Sequence, residues 1–172
     1  MPFVPQASLW VRQNATAESQ KLDERITSND IPAGKRLIIP QILIDEEVFE
    51  GPGAATLSKG LWHQPNGINP GMPGATIIAG HRFTYTDPEG AFYHLDKLEK
   101  GNEIALYWDG VKHSYSITDK YVTNADYKIE SNNLEQLVLY TCTPLWNPVD
   151  RLIVVAQKQG ESWVKKHCLW YY

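Results

Sequence analysis

The sequence predicts an all-β fold, either a barrel or a sandwich, and three observations indicate it. From Leu37 onward, short runs of apolar and β-branched residues alternate with clusters of glycine and proline. Asp109-Gly110 separates two such runs and is typical of a tight hairpin. Little of the chain has a helical pattern, so seven or eight short strands would make up the domain. Seven of these strands can be placed: 36–44, 76–79, 103–108, 112–118, 120–123, 136–141 and 151–157.

The segments around these strands are predicted in chain order. Residues 1–15 are expected to be irregular, and residues 16–26 to form one short polar helix. The first strand contains Pro40 in its middle, which is typical of an edge or bulged strand. Residues 91–98 could form one or two helical turns. Phe92, Leu95 and Leu98 would then share one side of that segment.

Composition sets limits on the class of protein. The 172 residues are enough for one domain, and 42% of them are hydrophobic. The net charge of −4, with no cluster of lysine and arginine among aromatic residues, argues against nucleic-acid binding. Two cysteines are too few for a disulfide scaffold, and both Cys142 and Cys168 are expected to be free. We find no run of about 20 apolar residues, and residues 1–30 contain no apolar stretch typical of a signal peptide.

Cys142 is the first residue with chemical potential. It lies at the end of a predicted strand on the same face as Val138 and Tyr140, and Pro144 prevents further pairing. A thiol at a strand end can attack a carbonyl carbon. The alternative is a small buried hydrophobic residue, which is the usual environment of a free cysteine.

Arg151 and His81 are the two proposed partners of this thiol. The loop 145–150 is long enough to bring Arg151 across from Cys142, where a guanidinium could stabilise an oxyanion. A solvent-exposed arginine at a strand end is the alternative. His81 directly follows the strand 76–79, and Gly80 before it permits close approach of backbone or ligand. No two of the five histidines have metal-ligand spacing, and His63 is the second histidine considered for a site.

Taken together, these segments resemble the sortases, a family of membrane-anchored bacterial cysteine transpeptidases. Ala79-Gly80-His81-Arg82 resembles the segment of the family's catalytic histidine. Thr141-Cys142-Thr143-Pro144, with Arg151 nine residues after the cysteine, resembles its cysteine and arginine signature. Weaker similarity covers 60–74 and 92–104, and the whole resemblance extends from about residue 38 to residue 155.

The resemblance implies a closed eight-stranded β-barrel that cleaves an LPXTG-like sorting signal between threonine and glycine. Cys142, His81 and Arg151 would be catalytic, and Thr141 would assist in stabilising the oxyanion or positioning the substrate. His63 and Trp146 are expected to line the substrate groove. The implied organisation is an N-terminal extension (1–30), a catalytic barrel (31–159) and a C-terminal tail (160–172).

The resemblance also implies partners, location and class. The acyl group would pass to an amine of a peptidoglycan precursor or of a pilin lysine, at the extracellular face of the bacterial membrane. This chain would be a soluble portion without its anchor. The spacing resembles classes C, D and E. Because residues 1–40 lack the Asp-Pro-aromatic lid motif of class C, we favour class D or E.

No cofactor is expected, although some sortases use calcium. The acidic residues 45–47, together with Glu50, are interpreted as a solvated loop rather than as a calcium site.

Three alternatives remain open. A cysteine hydrolase would use the same trio and let water resolve the acyl-enzyme. A peptidoglycan L,D-transpeptidase also uses Cys, His and Arg, but its histidine and cysteine lie close together in sequence, whereas 61 positions separate them here. A non-catalytic β-barrel binding module is the third.

Overall fold

Eight strands hydrogen-bond around a closed ring, as the family resemblance implies. The computed structural model describes residues 6–84, 89–129, 133–143 and 149–159, with side chains from residue 16 onward. The strand order around the ring is β1-β2-β3-β4-β7-β8-β6-β5. The strands are β1 (Arg36–Ile39), β2 (Ile44–Glu50), β3 (Leu61–His63), β4 (Gly74–Ala79), β5 (Glu103–Trp108), β6 (Val111–Asn124), β7 (Glu135–Thr143) and β8 (Asp150–Lys158).

The barrel interior is filled by side chains that point inward from every strand. Each of these side chains is almost completely buried, and burying one such leucine or isoleucine contributes about 1.5–3 kcal/mol. The alternation of strand side chains therefore divides each strand into an inner and an outer face. The inner face includes Leu37, Ile39, Ile44, Val48, Leu61, Ile78, Ile104, Leu106, Tyr115, Leu137, Leu139, Leu152 and Val154.

The N-terminal helix α1 (Gln6–Thr27) contacts the barrel at its C-terminal end. Ile26 is buried against Ile38, Ala105 and Tyr107 on the outer side of β1 and β5. Arg25 forms an ion pair with Asp45 on β2. The helix begins ten residues before the predicted start, so the prediction of an irregular segment is wrong from residue 6 onward. Within the described part of the chain, each helix is too short or too polar to span a bilayer.

The strand predicted for residues 36–44 is confirmed over its first four residues, and its continuation beyond them is wrong. β1 ends at Ile39, and Pro40 begins a 3-10 turn (Pro40–Ile42), because proline has no N–H to continue the strand pairing. Leu43 then adopts a left-handed conformation (φ 57°) that reverses the chain into β2. Consequently the acidic residues 45–47 lie on a strand rather than in the expected loop.

Three other predictions have clear outcomes. The runs 112–118 and 120–123 form one strand, β6, which is interrupted by a bulge between Ile117 and Asp119. The hairpin at Asp109-Gly110 is confirmed: both residues have positive φ (48° and 84°), as the mirror-image type I turn requires. Phe92, Leu95 and Leu98 are all fully buried, but only a 3-10 turn (Leu95–Lys97) forms in their segment.

Candidate functional site

Cys142 lies directly opposite Arg151 in the antiparallel pairing of β7 with β8. The thiol is half-buried and free. It shares the outer face of β7 with Val138 and Tyr140, which pack with an outer cluster, whereas Thr141 is 1% exposed and faces the interior. The structure thus places the thiol and the guanidinium on the outer wall of the barrel, across from each other.

The backbone of His81 comes level with Cys142 just beyond the neighbouring strand, and His81 lines a separate cavity with Glu46 and Leu57. β4 runs parallel to β7, with Ala79 level with Tyr140. The pairing continues beyond the strand, since the Gly80 N–H donates to the Tyr140 carbonyl (3.2 Å) and the Thr141 hydroxyl donates to the Gly80 carbonyl (2.8 Å). His81 is the next residue after Gly80, so it follows β4 at the level of Cys142.

Glycine at positions 80 and 90 allows a second segment to press against the histidine backbone. A Cβ at Gly80 would lie 2.6 Å from the Phe92 ring, and a Cβ at Gly90 would lie 2.5 Å from the His81 carbonyl oxygen. The Phe92 N–H donates to that same oxygen (2.9 Å). The close approach predicted at Gly80 is therefore present, and the side chains of Phe92 and Leu61 make it.

A cavity of about 580 Å³ opens on the outer wall beside Arg151. The Gln64 amide donates to the Tyr140 hydroxyl within it. Burial raises the pKa of Tyr140, so its phenol is neutral at physiological pH and keeps its proton for hydrogen bonding. The lining combines aliphatic, amide, phenolic and cationic side chains: Gln64, Asn66, Ile77, Thr123, Ala125, Tyr127, Lys128, Ile129, Tyr140, Arg151 and Ile153.

The two residues expected to line a groove have different outcomes. His63 is 5% exposed and stacks edge-on against Trp108 (4.9 Å between ring centroids). It lines a different, smaller cavity together with Glu50, and the adjacent residue Gln64 takes the place expected for it beside Arg151. Alternation along β3 explains the difference, because consecutive side chains leave a strand on opposite sides. Trp146 lies outside the described residues, as does Cys168.

Two of the acidic residues on β2 are paired with cations. Asp45 binds Arg25 and Arg36, and Glu50 binds Lys35. Across the part of the chain that the structure describes, no three His, Cys, Asp or Glu side chains are grouped so that they could hold a metal ion.

The sequence profile of the sortase domain matches residues 37–159, which is most of the chain and contains all eight strands except the first residue of β1. This chain belongs to the sortase family. No curated protein matches it at a significant level.

Solved sortase structures share the fold. Sortase C-1 from Actinomyces oris superposes with a TM-score of 0.68 at 21% identity, over 83% of each chain. A Clostridium perfringens sortase D5 transpeptidase gives 0.66 at 24% identity, over 86% of this chain and 95% of that one. Sortase C1 from Streptococcus agalactiae gives 0.66 at 25% identity, over 77% and 71%. The relatives span more than one class, so the assignment to class D or E stays a prediction.

Proposed function

We propose that this sortase is a cysteine transpeptidase that cleaves an LPXTG-like sorting signal between threonine and glycine. It would transfer the threonyl acyl group to an amine. The observation that carries the proposal is the meeting of three strand ends on one wall. Cys142 is paired with Arg151, and His81 follows the adjacent strand at the same level. A nucleophile, a proton carrier and an oxyanion stabiliser are the groups that acyl transfer through a thioester needs.

In the first half-reaction, the Cys142 thiol gives its proton to His81, its sulfur bonds to the threonine carbonyl carbon, and the carbonyl oxygen becomes negative. Arg151 donates to that oxygen. One of its nitrogens, Nη1, donates to its neighbour's carbonyl at Asp150 (3.0 Å), and the other guanidinium donors would serve the oxyanion. When the tetrahedral intermediate collapses, the carbon–nitrogen bond breaks, and His81 gives a proton to the departing glycine amine. A thioester on Cys142 remains.

The second half-reaction reverses these steps with a new amine. The incoming amine attacks the thioester carbon and gives a proton to His81, and the carbon–sulfur bond breaks to return the thiolate of Cys142. A positioned acid–base group of this kind is typically worth about 10²–10⁴ in rate. Water in place of the amine would make the enzyme a hydrolase.

Thr141 would act from behind the reacting groups. Its hydroxyl is buried and donates to the Gly80 carbonyl, directly before His81. That bond favours a role in holding the histidine strand against the cysteine strand. A contribution of Thr141 to the oxyanion site would have to come from its backbone.

The cavity beside Arg151 is the proposed position of the sorting signal. Ile77, Ile129 and Ile153 offer aliphatic surface, and Gln64 with Tyr140 offers hydrogen-bonding groups. Aliphatic patches of this kind can contact the apolar side chains of a peptide, and the polar groups beside them can orient it. The physiological acceptor would be an amine of a peptidoglycan precursor or a pilin lysine, at the outer face of a bacterial membrane.

The decisive experiment incubates the protein with a fluorogenic LPXTG peptide, with and without a glycine-based amine, and identifies products by mass spectrometry. We expect a thioester on Cys142, a transfer product only with the amine, and no turnover by Cys142→Ala. His81→Ala should slow turnover by about 10²–10⁴. Peptide release at the same rate and without transfer would indicate a hydrolase. Undiminished processing by folded Cys142→Ala would contradict the proposal.

A further inference from the structure

We propose that Arg82 is a positioning residue, which fixes His81 relative to Cys142 by joining the ends of their two strands. The inference rests on the proposed function, since it names a residue that supports the same chemistry. Arg82 directly follows His81, and Thr143 directly follows Cys142. Their side chains meet: Arg82 Nη1 donates to Thr143 Oγ1 at 2.8 Å.

Consecutive side chains in extended backbone leave the chain on opposite sides. Cys142 and Thr143 both lie within β7, so Thr143 faces away from the thiol. The bond between Arg82 and Thr143 therefore joins the two strand ends from behind the reacting groups. It adds to the bonds that Gly80 makes with Tyr140 and Thr141, and it lies one residue beyond the histidine and the cysteine.

The guanidinium of Arg82 is itself held by two more acceptors. Nη2 lies 3.0 Å from Asp96 Oδ1, and Nε donates to the Tyr93 carbonyl at 3.4 Å. The Arg82 side chain is only 11% exposed, which limits screening of the ion pair. Although burial raises the pKa of Asp96, Arg82 and then Lys97 hold it below its usual value, so Asp96 is a carboxylate at neutral pH.

Asp96, which binds Arg82, is itself held in place by its surroundings. Asp96 lies in the 3-10 turn Leu95–Lys97, which is held to the core by the fully buried side chains of Leu95 and Leu98. Lys120 on β6 donates to the carbonyls of Asp96 (2.7 Å) and Leu98 (2.6 Å). Thr143 is thus connected through one guanidinium to a turn that packs on the barrel interior.

The consequence concerns rate rather than affinity. Reacting groups in an enzyme must be held close to their productive geometry, and a displacement of about 1 Å can cost roughly 10² in rate. Arg82 has three acceptors in three directions, which a planar guanidinium with five donors can serve and a lysine ammonium cannot in the same geometry. Loss of the hydrogen bond between Arg82 and Thr143 should lower kcat and leave KM for the peptide nearly unchanged.

The test uses Arg82→Gln, Arg82→Lys and Thr143→Val in the full chain. The readouts are kcat and KM for peptide cleavage, and the rate at which iodoacetamide alkylates Cys142 across the pH range. We expect all three variants to lose about 10- to 100-fold in kcat with KM within about twofold. Their alkylation profiles should shift towards that of His81→Ala. The double variant Arg82→Gln/Thr143→Val should lose no more kcat than either single variant, because both substitutions remove the same hydrogen bond.

Two further variants act as controls. Thr143→Ser keeps the hydroxyl and should recover most of the rate lost in Thr143→Val. Lys97→Gln removes the other cation beside Asp96. Because the Lys97 side chain is 69% exposed, this substitution should leave kcat unchanged. Circular dichroism and denaturant unfolding establish that each variant is folded.

The proposal is overturned if folded Thr143→Val and Arg82→Gln keep the wild-type kcat and the wild-type alkylation profile. It is also overturned if they lose only stability, with kcat per folded molecule intact. Should Arg82→Gln fail to fold, Thr143→Val decides alone, since it removes a single hydroxyl. Alkylation needs no peptide, so it tests the hydrogen bond between Arg82 and Thr143 independently of peptide cleavage. If the wild-type protein forms no thioester with the peptide, the proposed function has failed, but the alkylation result still tests the role of Arg82.

Discussion

Gly80 shows how little room surrounds the proposed histidine. A methyl group there would collide with the Phe92 ring and with Leu61 Cδ2 (2.8 Å), and both of those side chains are fully buried. We expect Gly80→Ala to lower the free energy of unfolding by about 1–3 kcal/mol, the usual cost of overpacking a core. Denaturant unfolding measures the change.

Gly53→Ala is the matched control for that substitution. Gly53 has extended backbone (φ −148°), and nothing lies within 4 Å of the added methyl group. Its free energy of unfolding should stay within about 0.5 kcal/mol of the wild-type value. Equal effects at Gly53 and Gly80 would mean that the loss comes from the backbone and not from the Phe92 contact.

Arg151 is the second residue whose type matters. Arg151→Lys keeps the positive charge but loses the planar fork of donors, one of which is already bound to the Asp150 carbonyl. We expect kcat for peptide cleavage to fall about 10²–10³-fold, the range seen when one oxyanion donor is removed. Steady-state kinetics with the fluorogenic peptide measures the loss.

Arg25→Lys is the same chemical change elsewhere. Arg25 pairs with Asp45 beside β2, away from β7 and β8, and its replacement should leave kcat unchanged. A full rate in Arg151→Lys would show that charge alone is sufficient, and that the fork geometry is not used.

At the level of single elements, β7 is held at both ends by polar contacts. Its last residues carry Cys142 and Thr143, and its first residue, Glu135, collects three donors. These are Lys158 Nζ (2.7 Å), the Gly71 N–H (3.0 Å) and the Tyr115 hydroxyl (3.0 Å). Burial alone would raise the pKa of Glu135, but these hydrogen bonds hold it below its ordinary value.

A carboxylate with a lowered folded-state pKa makes stability depend on acid. The unfolded state binds the proton first, so the contribution of Glu135 is fully present above its ordinary pKa, near 4.5, and is lost as pH falls through the lowered folded-state value. We expect Glu135→Gln to lower the free energy of unfolding at neutral pH by about 1–3 kcal/mol. It should also flatten the acid limb of the stability curve, measured by urea unfolding at several pH values.

Glu47→Gln is the control for that measurement. Glu47 lies exposed on β2, and it makes no ion pair with the side chains that the structure describes. Its acid limb should match that of the wild-type protein. An unchanged acid limb in Glu135→Gln would assign the pH dependence to other carboxylates.

The elements that the sequence predicts well are those with a strong local signal. The apolar runs of β4, β5, β7 and β8 and the Asp109-Gly110 turn all appear near their predicted positions. β3 has only three residues, and β2 carries three consecutive acidic residues, so neither shows the usual strand pattern. Their strand conformation comes from pairing with neighbouring strands, which the residue pattern within each segment cannot report.

The same division applies to the site. Cys142, His81 and Arg151 could be proposed from the sequence because each lies at an end of a recognisable apolar run. The contacts of Arg82 could not be found, because they depend on Asp96 in a short turn and on a hydroxyl 61 positions away. Gln64 was missed because its relation to Tyr140 requires the pairing of β3, β4 and β7.

For the whole molecule, ring order separates the proposed chemistry from the N-terminal helix. β1 and β7 are four places apart in a ring of eight strands, so they lie on opposite walls. α1 packs against β1 and β5 through Ile26, which is 5% exposed. We therefore expect Ile26→Ala to lower the free energy of unfolding by about 2–5 kcal/mol while leaving kcat/KM of the folded protein within about twofold.

Thermal unfolding and peptide cleavage on the same sample measure both quantities. Leu139→Ala is the comparison. Leu139 is a core residue of β7, the strand that carries Cys142, so its truncation creates a similar cavity close to the proposed site. It should lower both stability and kcat/KM. A large loss of kcat/KM in Ile26→Ala would mean that the contact of the helix with β1 and β5 affects catalysis on the opposite wall of the barrel.

The parallel pairing of β4 with β7 has a consequence for how the chain acquires its activity. It brings residues 74–79 against residues 135–140, so about sixty residues must be looped before the two strands meet. Pairings this distant in sequence form slowly, because the entropy of closing the loop is lost before the contacts are gained. During synthesis, β4 is complete long before β7 exists. Residues 81 and 142 therefore come into register only after nearly the whole domain has emerged, and any chemistry that they share under the proposed function begins no earlier.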